Sequence, residues 1–201
     1  MSRRLPTSHP APPTRLQGVS TSTKIDPMTT RHARISTSLG ELTAVVDDAR
    51  DGGGAALIGL YFPGHWTLPN GADHGPRVDV AQEPVVAALA DQLREYLAGE
   101  RRDVDVAYEL RGGSHHQQVW ALLERIPYGQ TVTYGDLAAA TGGAAQAVGR
   151  AVGANPISIV VPCHRVIGAD GSITGYAGGL DRKRALLALE EPSASERGAL
   201  F

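Results

Sequence analysis

Cysteine is nearly missing from this chain: Cys163 is the single one in 201 residues. That count excludes a disulfide framework, a CxxC redox pair and any zinc site built from several thiolates, and it points to a reducing, cytoplasmic compartment. Long apolar runs are missing too, since no stretch approaches the roughly 18 uninterrupted apolar residues that a membrane span needs. No apolar h-region marks a secretory leader. Excess charge is also absent: 19 basic and 21 acidic side chains leave a formal net charge of -2. A global polybasic argument for nucleic-acid binding is therefore removed, and any such role must rest on local chemistry. What is present, 42% hydrophobic and 20% charged residues, suits a globular protein that buries a core in one large or two small units.

The charge is unevenly spread. Residues 1–30 carry four basic groups against one acidic, residues 31–110 seven against thirteen, and residues 111–192 seven against six. If one part meets a polyanion, it is the last of these. Residues 1–30 hold five of the 13 prolines with much Ser and Thr and no apolar periodicity, which predicts a disordered extension. An Arg- and Ser-rich start also suits an organellar transit peptide, but no amphipathic pattern supports one. Residues 193–201 are expected to form a flexible tail.

Residues 31–108 read as an α+β unit. Ile35, Leu39, the run Leu42-Thr43-Ala44-Val45-Val46, a Gly52-Gly53-Gly54 turn and residues 56–62 predict two or three strands of a small antiparallel sheet. Residues 84–99 read as a helix, with Pro84 in its first turn, Val85, Val86, Leu89, Leu93 and Leu97 on its apolar face, and Gly99 past its end.

Residues 109–192 read as a second, mainly helical unit. Ser114-His115-His116-Gln117 spells a capping box, Val119, Leu122, Leu123 and Ile126 follow helical spacing, and Pro127 ends the helix. Thr133 caps a short helix over residues 137–140, Gly142-Gly143 makes a turn, and residues 144–154 form another helix. Two short helices across a glycine turn outline a helix-turn-helix, winged-helix-like in its setting. The second is mostly Ala, Gly and Val, so Gln146 and Arg150, four apart, project from one face of a smooth rod. A small-residue helix packed in the core is the competing reading. Residues 157–161 predict a buried strand that ends at Pro162, and Asp170-Gly171 predicts a hairpin turn. Asp181 opens a last helix.

A lone cysteine is most often a small buried hydrophobe. Cys163 differs: it follows a proline at a forced bend, His164 adjoins it and cationic groups surround it. A thiol of pKa ~8.5 is only a few per cent thiolate at neutral pH, so a working nucleophile needs a base or a positive field beside it. His164 is the nearest base, although neighbours on extended backbone point apart, so contact needs a turn or a bridging water. A carboxylate behind the histidine would hold its tautomer. Asp170, Asp181 and Glu190 are all eligible.

Val161-Pro162-Cys163-His164-Arg165-Val166-Ile167, with Asn155-Pro156 before it and Gly175-Tyr176 and Leu186-Leu187-Ala188-Leu189-Glu190 after it, resembles the O6-alkylguanine-DNA alkyltransferases. Val119-Trp120, Ile126-Pro127-Tyr128-Gly129 and Thr133-Tyr134 through Leu137-Ala138 match as well, and residues 57–62 are similar to that family's N-terminal domain. The resemblance spans about residues 34–191. It implies DNA repair by irreversible, stoichiometric transfer of an alkyl group from O6 of guanine in double-stranded DNA to Cys163. It further implies that His164 deprotonates the thiol through a water, Glu190 orients His164, and Asn155 links the helix pair to the active-site strand. Tyr134 would donate to the base and Tyr176 wall the pocket beside Val166, while Gln146, Ala147, Gly149 and Arg150 would face DNA. The base must be extruded first, because O6 is otherwise buried in the stack and the pair. No cofactor, metal or membrane is implied, and a monomer is expected.

Two departures stand out. The family's arginine finger falls on Gln146, in a stretch two residues shorter than usual, so phosphate attraction should be weaker; Arg150, one turn on, is the candidate substitute. The family's Phe-Gln is His115-His116 here. Some relatives bind zinc through N-terminal Cys and His, but His32, His65 and His74 have no ligand spacing, and adjacent His115 and His116 diverge by ~100° on a helix. Three other functions compete: a non-catalytic protein that recognises alkylated guanine and recruits repair factors, a Cys-His-Glu hydrolase, and a plain winged-helix DNA binder. Sensors of the first kind replace the cysteine that this chain keeps, and no oxyanion signature supports the hydrolase.

Overall fold

The structure, a computed structural model, describes residues 29–48, 54–68 and 74–191. The expectations for residues 1–28 and 193–201 and for the Gly52-Gly53 turn lie outside the described residues. The architecture is α+β: a three-stranded antiparallel sheet with one helix on it, followed by a mainly helical half. Thr30, the last residue of the expected extension, already belongs to the first strand.

The strands are β1 (Thr30–Thr37), β2 (Gly40–Asp48) and β3 (Ala55–Tyr61), in the order β1-β2-β3. A two-residue turn pairs Thr37 with Gly40, where the Thr37 hydroxyl donates to the Gly40 carbonyl at 2.7 Å. A bulge at Val45/Val46 shifts the β2–β3 register, bending the sheet locally. Helix α1 (Pro84–Leu97) has Pro84 in its first turn and the Glu83 carboxylate accepting from the Val85 N–H. Its Val86, Leu89, Leu93 and Tyr96 recur at helical spacing and are buried, each aliphatic contributing about 1.5–3 kcal/mol. They meet Ala33, Ile35, Leu42, Ala44 and Leu57 in a core that runs on through Trp120, Val148 and Val161 of the second half.

Both outer strands of the sheet carry isolated bridges to other segments. His32 pairs with Arg77 beyond β1, while β3 pairs with Tyr108 and, at Leu60, with Ile157. The Leu60 N–H donates to the Pro156 carbonyl at 2.8 Å and the Ser158 N–H to the Leu60 carbonyl at 3.0 Å. The segment leading to Cys163 is thereby stitched to the edge that a sheet must otherwise protect.

The second half comprises α2 (Ser114–Leu123), β4 (Val132–Thr133), α3 (Tyr134–Thr141), α4 (Ala145–Gly153), β5 (Val166–Ile167) and α5 (Leu180–Glu190). Thr133 forms the expected cap: its hydroxyl accepts from the Asp136 N–H at 3.1 Å and the Asp136 carboxylate accepts from the Thr133 N–H at 2.8 Å. Gly142, at φ 65°, ends α3 in the left-handed conformation that glycine tolerates. Helix α4 packs on α2 and α3 through buried Val148, Ala151 and Val152, and Trp120 of α2 donates its indole N–H to the Ala151 carbonyl at 2.8 Å. Among the described residues no helix is long and apolar enough to cross a membrane.

Three local expectations are corrected. The N-cap of α2 is Gly113 with no side-chain cap, because Gln117 turns away from Ser114 to donate to the Leu110 carbonyl. Residues 157–161 are buried but form turns rather than a strand: the Val161 N–H donates to the Ile157 carbonyl at 3.1 Å and Val160 to Ser158 at 2.9 Å. Apolarity there signalled burial, which extended and folded backbone satisfy equally. Residues 168–172 do turn, with Gly168 donating to Ser172 at 2.9 Å. No hairpin forms around that turn, since β5 pairs in parallel with β4.

Candidate active site

Pro162 delivers the chain into a single 3-10 turn, Cys163–Arg165, all three residues of which are buried. The turn resolves the geometric problem of adjacent Cys and His, since it carries the two side chains off an extended path. Asn155, directly after α4 and 1% exposed, organises the approach. Its side-chain oxygen accepts from the Ile157 N–H at 3.1 Å, while its N–H₂ donates to the Val161 carbonyl at 2.8 Å and to the Cys163 sulfur at 3.1 Å. That lacing holds Ile159 at φ 71°, a conformation that costs a β-branched residue about 1–3 kcal/mol and persists where the surroundings over-determine it.

Behind the cysteine, His164 is fully buried and its Nε2 lies 2.7 Å from Oε1 of Glu190, the last residue of α5. Of the three eligible carboxylates, Asp170 and Asp181 are exposed and Glu190 alone meets the imidazole. Glu190 is saturated with donors. Tyr96 and Arg165 Nη2 join His164 at Oε1, the latter at 3.0 Å, and Arg165 Nε at 2.8 Å and the Gly129 N–H at 3.2 Å reach Oε2. Arg165 also donates to the Ile126 carbonyl at 2.6 Å and lies over the Tyr128 ring. The other ring nitrogen of His164, Nδ1, is buried with no hydrogen-bond partner. It is the atom left over for a proton.

Burial would raise the Glu190 carboxyl, but hydrogen bonds from His164 and Arg165 overcome it and bring the pKa down to about 2. Burial pushes the His164 imidazole down, against the pull of Glu190. It pushes the Cys163 thiol up, and the Asn155 N–H and the nearby Lys183 offset this in part. The resting pair is accordingly neutral thiol and neutral imidazole, and the thiolate arises only when a proton moves. Tyr134, first residue of α3, donates its hydroxyl to the Gly175 carbonyl at 3.1 Å. Tyr176 packs edge-on against Phe62 at 6.3 Å with its hydroxyl buried and unpartnered. Burial, then the charge that Cys163 would carry, raises both phenols. Val166 in β5 is buried and its carbonyl accepts from Lys183.

The structure thus brings Cys163, His164, Glu190, Asn155, Tyr134, Tyr176 and Val166 into one neighbourhood. Gln146 and Arg150 stand apart, exposed on α4, with Ala147 and Gly149 half-buried between them. Gly149 nevertheless faces the Tyr134 ring, where a Cβ would lie 3.9 Å from it. The substituted His116 ring sits 5.4 Å from that of Trp120. Among the described residues no three His, Cys, Asp or Glu side chains come together as a metal site would require.

Three residues with no assigned role from the sequence belong to the cluster: Tyr96, Arg165 and Lys183. Lys183 is fully buried in α5, where it donates to the carbonyls of Val166 and Thr174 and, at 3.4 Å, of Gly175; burial brings its pKa down to about 8, against the pull of Cys163. The signal for Arg165 was its place in an otherwise buried run, where a cation needs partners; Lys183, set in the charged stretch 181–184, carried none. Tyr96 carried no such signal.

Comparison with known proteins gives a consistent picture. Residues 114–192 match the family model described as 6-O-methylguanine DNA methyltransferase, DNA binding domain. A Mycobacterium bovis methylated-DNA–protein-cysteine methyltransferase is 50% identical over 139 residues, covering 68% of this chain and 76% of that one. The Salmonella typhimurium protein of the same name is 56% identical over 102 residues, 49% of this chain and 60% of that one. Among solved structures, Mycobacterium tuberculosis OGT in complex with DNA superposes with a TM-score of 0.67 at 42% identity, covering 80% of this chain and 92% of that one.

Proposed function

Since the chain belongs to the methylated-DNA–protein-cysteine methyltransferase family, we propose that Cys163 is the acceptor in a single-turnover DNA repair reaction and that the cluster around it supplies the chemistry. The protein repairs DNA by transferring an alkyl group from O6 of guanine to its own cysteine. The observation that carries the site assignment is a buried sulfur that shares a 3-10 turn with a buried imidazole, one nitrogen of which is held by Glu190 while the other has no partner.

The steps follow from those groups. With guanine extruded from the duplex, a water between the thiol and Nδ1 of His164 passes the thiol proton to the imidazole. Glu190 holds the opposite N–H and stabilises the imidazolium without taking its proton. The thiolate attacks the alkyl carbon; the S–C bond forms as the C–O6 bond breaks, and the electron pair stays with guanine. Tyr134 donates to the departing base, and guanine regains the proton that the thiol gave up. The product is a thioether, a poor leaving group with no ionisable proton, so no base in the site can reverse it.

For DNA contact we propose α3 and α4 as a helix-turn-helix of winged-helix type, with Gln146 entering the space the base vacates and Arg150, Ala147 and Gly149 along the same surface. The smooth Ala/Gly/Val composition of α4 supports this, because a groove accepts a rod with few protrusions. The division into residues 31–108 and 109–192, and action as a monomer in the reducing cytoplasm, belong to the same reading.

Mass spectrometry after incubation with duplex DNA containing O6-methylguanine tests it. One methyl per chain is expected on the Cys163 peptide, and none in Cys163→Ala, which should retain DNA affinity. Repeated turnover with unmodified protein would indicate a hydrolase, and lesion binding with neither outcome a recognition protein; either result overturns the assignment.

A further inference from the structure

We propose that Tyr96, from the helix on the N-terminal sheet, is a positioning residue of the alkyl-transfer site: its hydroxyl donates to Glu190 and sets how strongly that carboxylate grips His164. The inference rests on the function proposed above and extends the machinery into a part of the chain that the family model, residues 114–192, does not include.

A carboxylate offers about four lone-pair sites, two per oxygen. Glu190 Oε1 accepts from three side chains at once, His164, Arg165 and Tyr96. Its negative charge is therefore shared out, and the share reaching His164 depends on the other two. Tyr96 is 2% exposed and its hydroxyl donates to this carboxylate across 94 residues of chain, with Arg165 also beside it. A phenylalanine would fill the same space, with the same edge-on contact to Tyr128 at 6.0 Å. The hydroxyl is thus redundant for packing and specific for the carboxylate. Its removal leaves more of the charge on Oε1 for the imidazole, favouring its protonated form.

The groups that bear on this equilibrium come from every element around it. Tyr96 comes from α1, the Gly129 N–H from the loop before β4, Cys163 and Arg165 from the 3-10 turn, and Lys183 from α5, whose charge opposes protonation of His164. Only Tyr96 among them can lose its hydrogen bond through the removal of one oxygen atom with no change in charge.

The test is Tyr96→Phe in the full chain, with the His164 imidazole followed by nitrogen-15 NMR across pH and, separately, the alkyl-transfer rate across pH. The variant should raise the His164 midpoint by about half to one pH unit. The acid limb of the transfer rate should move the same way. Fluorotyrosine placed at position 96, a stronger donor of nearly unchanged shape, should move the midpoint down. Tyr128→Phe, which removes the bond to the Leu189 carbonyl at 3.0 Å, should lower the melting temperature and leave the midpoint in place. A Tyr96→Phe midpoint within about 0.2 unit of the parent, or equal shifts in Tyr96→Phe and Tyr128→Phe, overturns the proposal. The NMR titration needs no DNA, so absence of transfer by the parent protein removes the functional reading, while the coupling of Tyr96 through Glu190 to His164 is read separately from the midpoints.

Discussion

Replacing Asn155 by alanine and by aspartate separates its two tasks, shaping the loop and addressing the sulfur. In Asn155→Ala the Ile157 N–H loses its acceptor and is stranded in a buried position, which costs about 1–3 kcal/mol. The Val161 carbonyl keeps a second donor, the Cys163 N–H at 2.8 Å, and the Ile157 carbonyl keeps Val161. The bonds lost there and at sulfur are each worth only about 0.5–1.5 kcal/mol. The sum predicts destabilisation of about 5 kcal/mol in urea unfolding. The thiol, without the Asn155 N–H, should titrate higher still, and transfer at neutral pH should fall about tenfold for each unit of that rise. Asn155→Asp keeps the acceptor for Ile157 but turns an oxygen toward the Val161 carbonyl and the sulfur. Its buried carboxyl should stay protonated, and stability should fall as pH rises through its raised pKa, opposite to the usual carboxylate trend. An alanine variant with less than about 1 kcal/mol of destabilisation and an unmoved thiol titration would refute the reasoning, whatever its effect on activity.

Three further outcomes are expected. Thr133→Ala, which removes one side of the α3 capping box, should destabilise by about 1 kcal/mol in denaturant unfolding. On acidification, urea titrations should show two windows of loss. The first runs from pH 6.5 to 4: burial holds His65 down at about 4, so the unfolded chain binds that proton first. The second runs from 4.5 to 2, where Glu190 must be protonated against its partners; His65→Asn should shrink the first, to which the lowered imidazole of His164 also contributes, and spare the second. Gln146→Arg should tighten binding to lesion-bearing duplex and steepen its salt dependence by about one unit of log–log slope. Unchanged affinity and slope would remove Gln146 from the DNA face.

The elements whose reasons are local were legible from residues. The Thr133 cap, Pro84 at the start of α1 and the periodic apolar face of α1 act within one or two turns, and each stands as read; α2 ends at Leu123, before Ile126 and Pro127. Cys163 stood out as the candidate nucleophile from its proline, its histidine and its isolation. The residues alone left Asp170, Asp181 and Glu190 equally eligible, because the choice depends on which helix end lands beside His164. Residues 157–161 were misread for the same reason: the donor and acceptors of the Asn155 side chain take up backbone groups that a strand would have paired, and nothing in the apolar run shows that. Tyr96 was read only as part of a helix, since its purpose exists once a carboxylate 94 residues away has arrived.

That distance has a consequence during synthesis. Leu60 meets Ile157, and the partner of His164 sits at position 190; loops of such length close late relative to local helices. A nascent chain that has emerged just past Cys163 therefore carries an ordinary thiol, because the carboxylate behind its base is not yet in place. The imidazole and its carboxylate meet only when the last helix docks. Until then the thiol keeps its ordinary acidity and is open to stray electrophiles, whereas the finished fold buries it and pushes its pKa up, so a group that can be spent once is sheltered by completion of the fold itself.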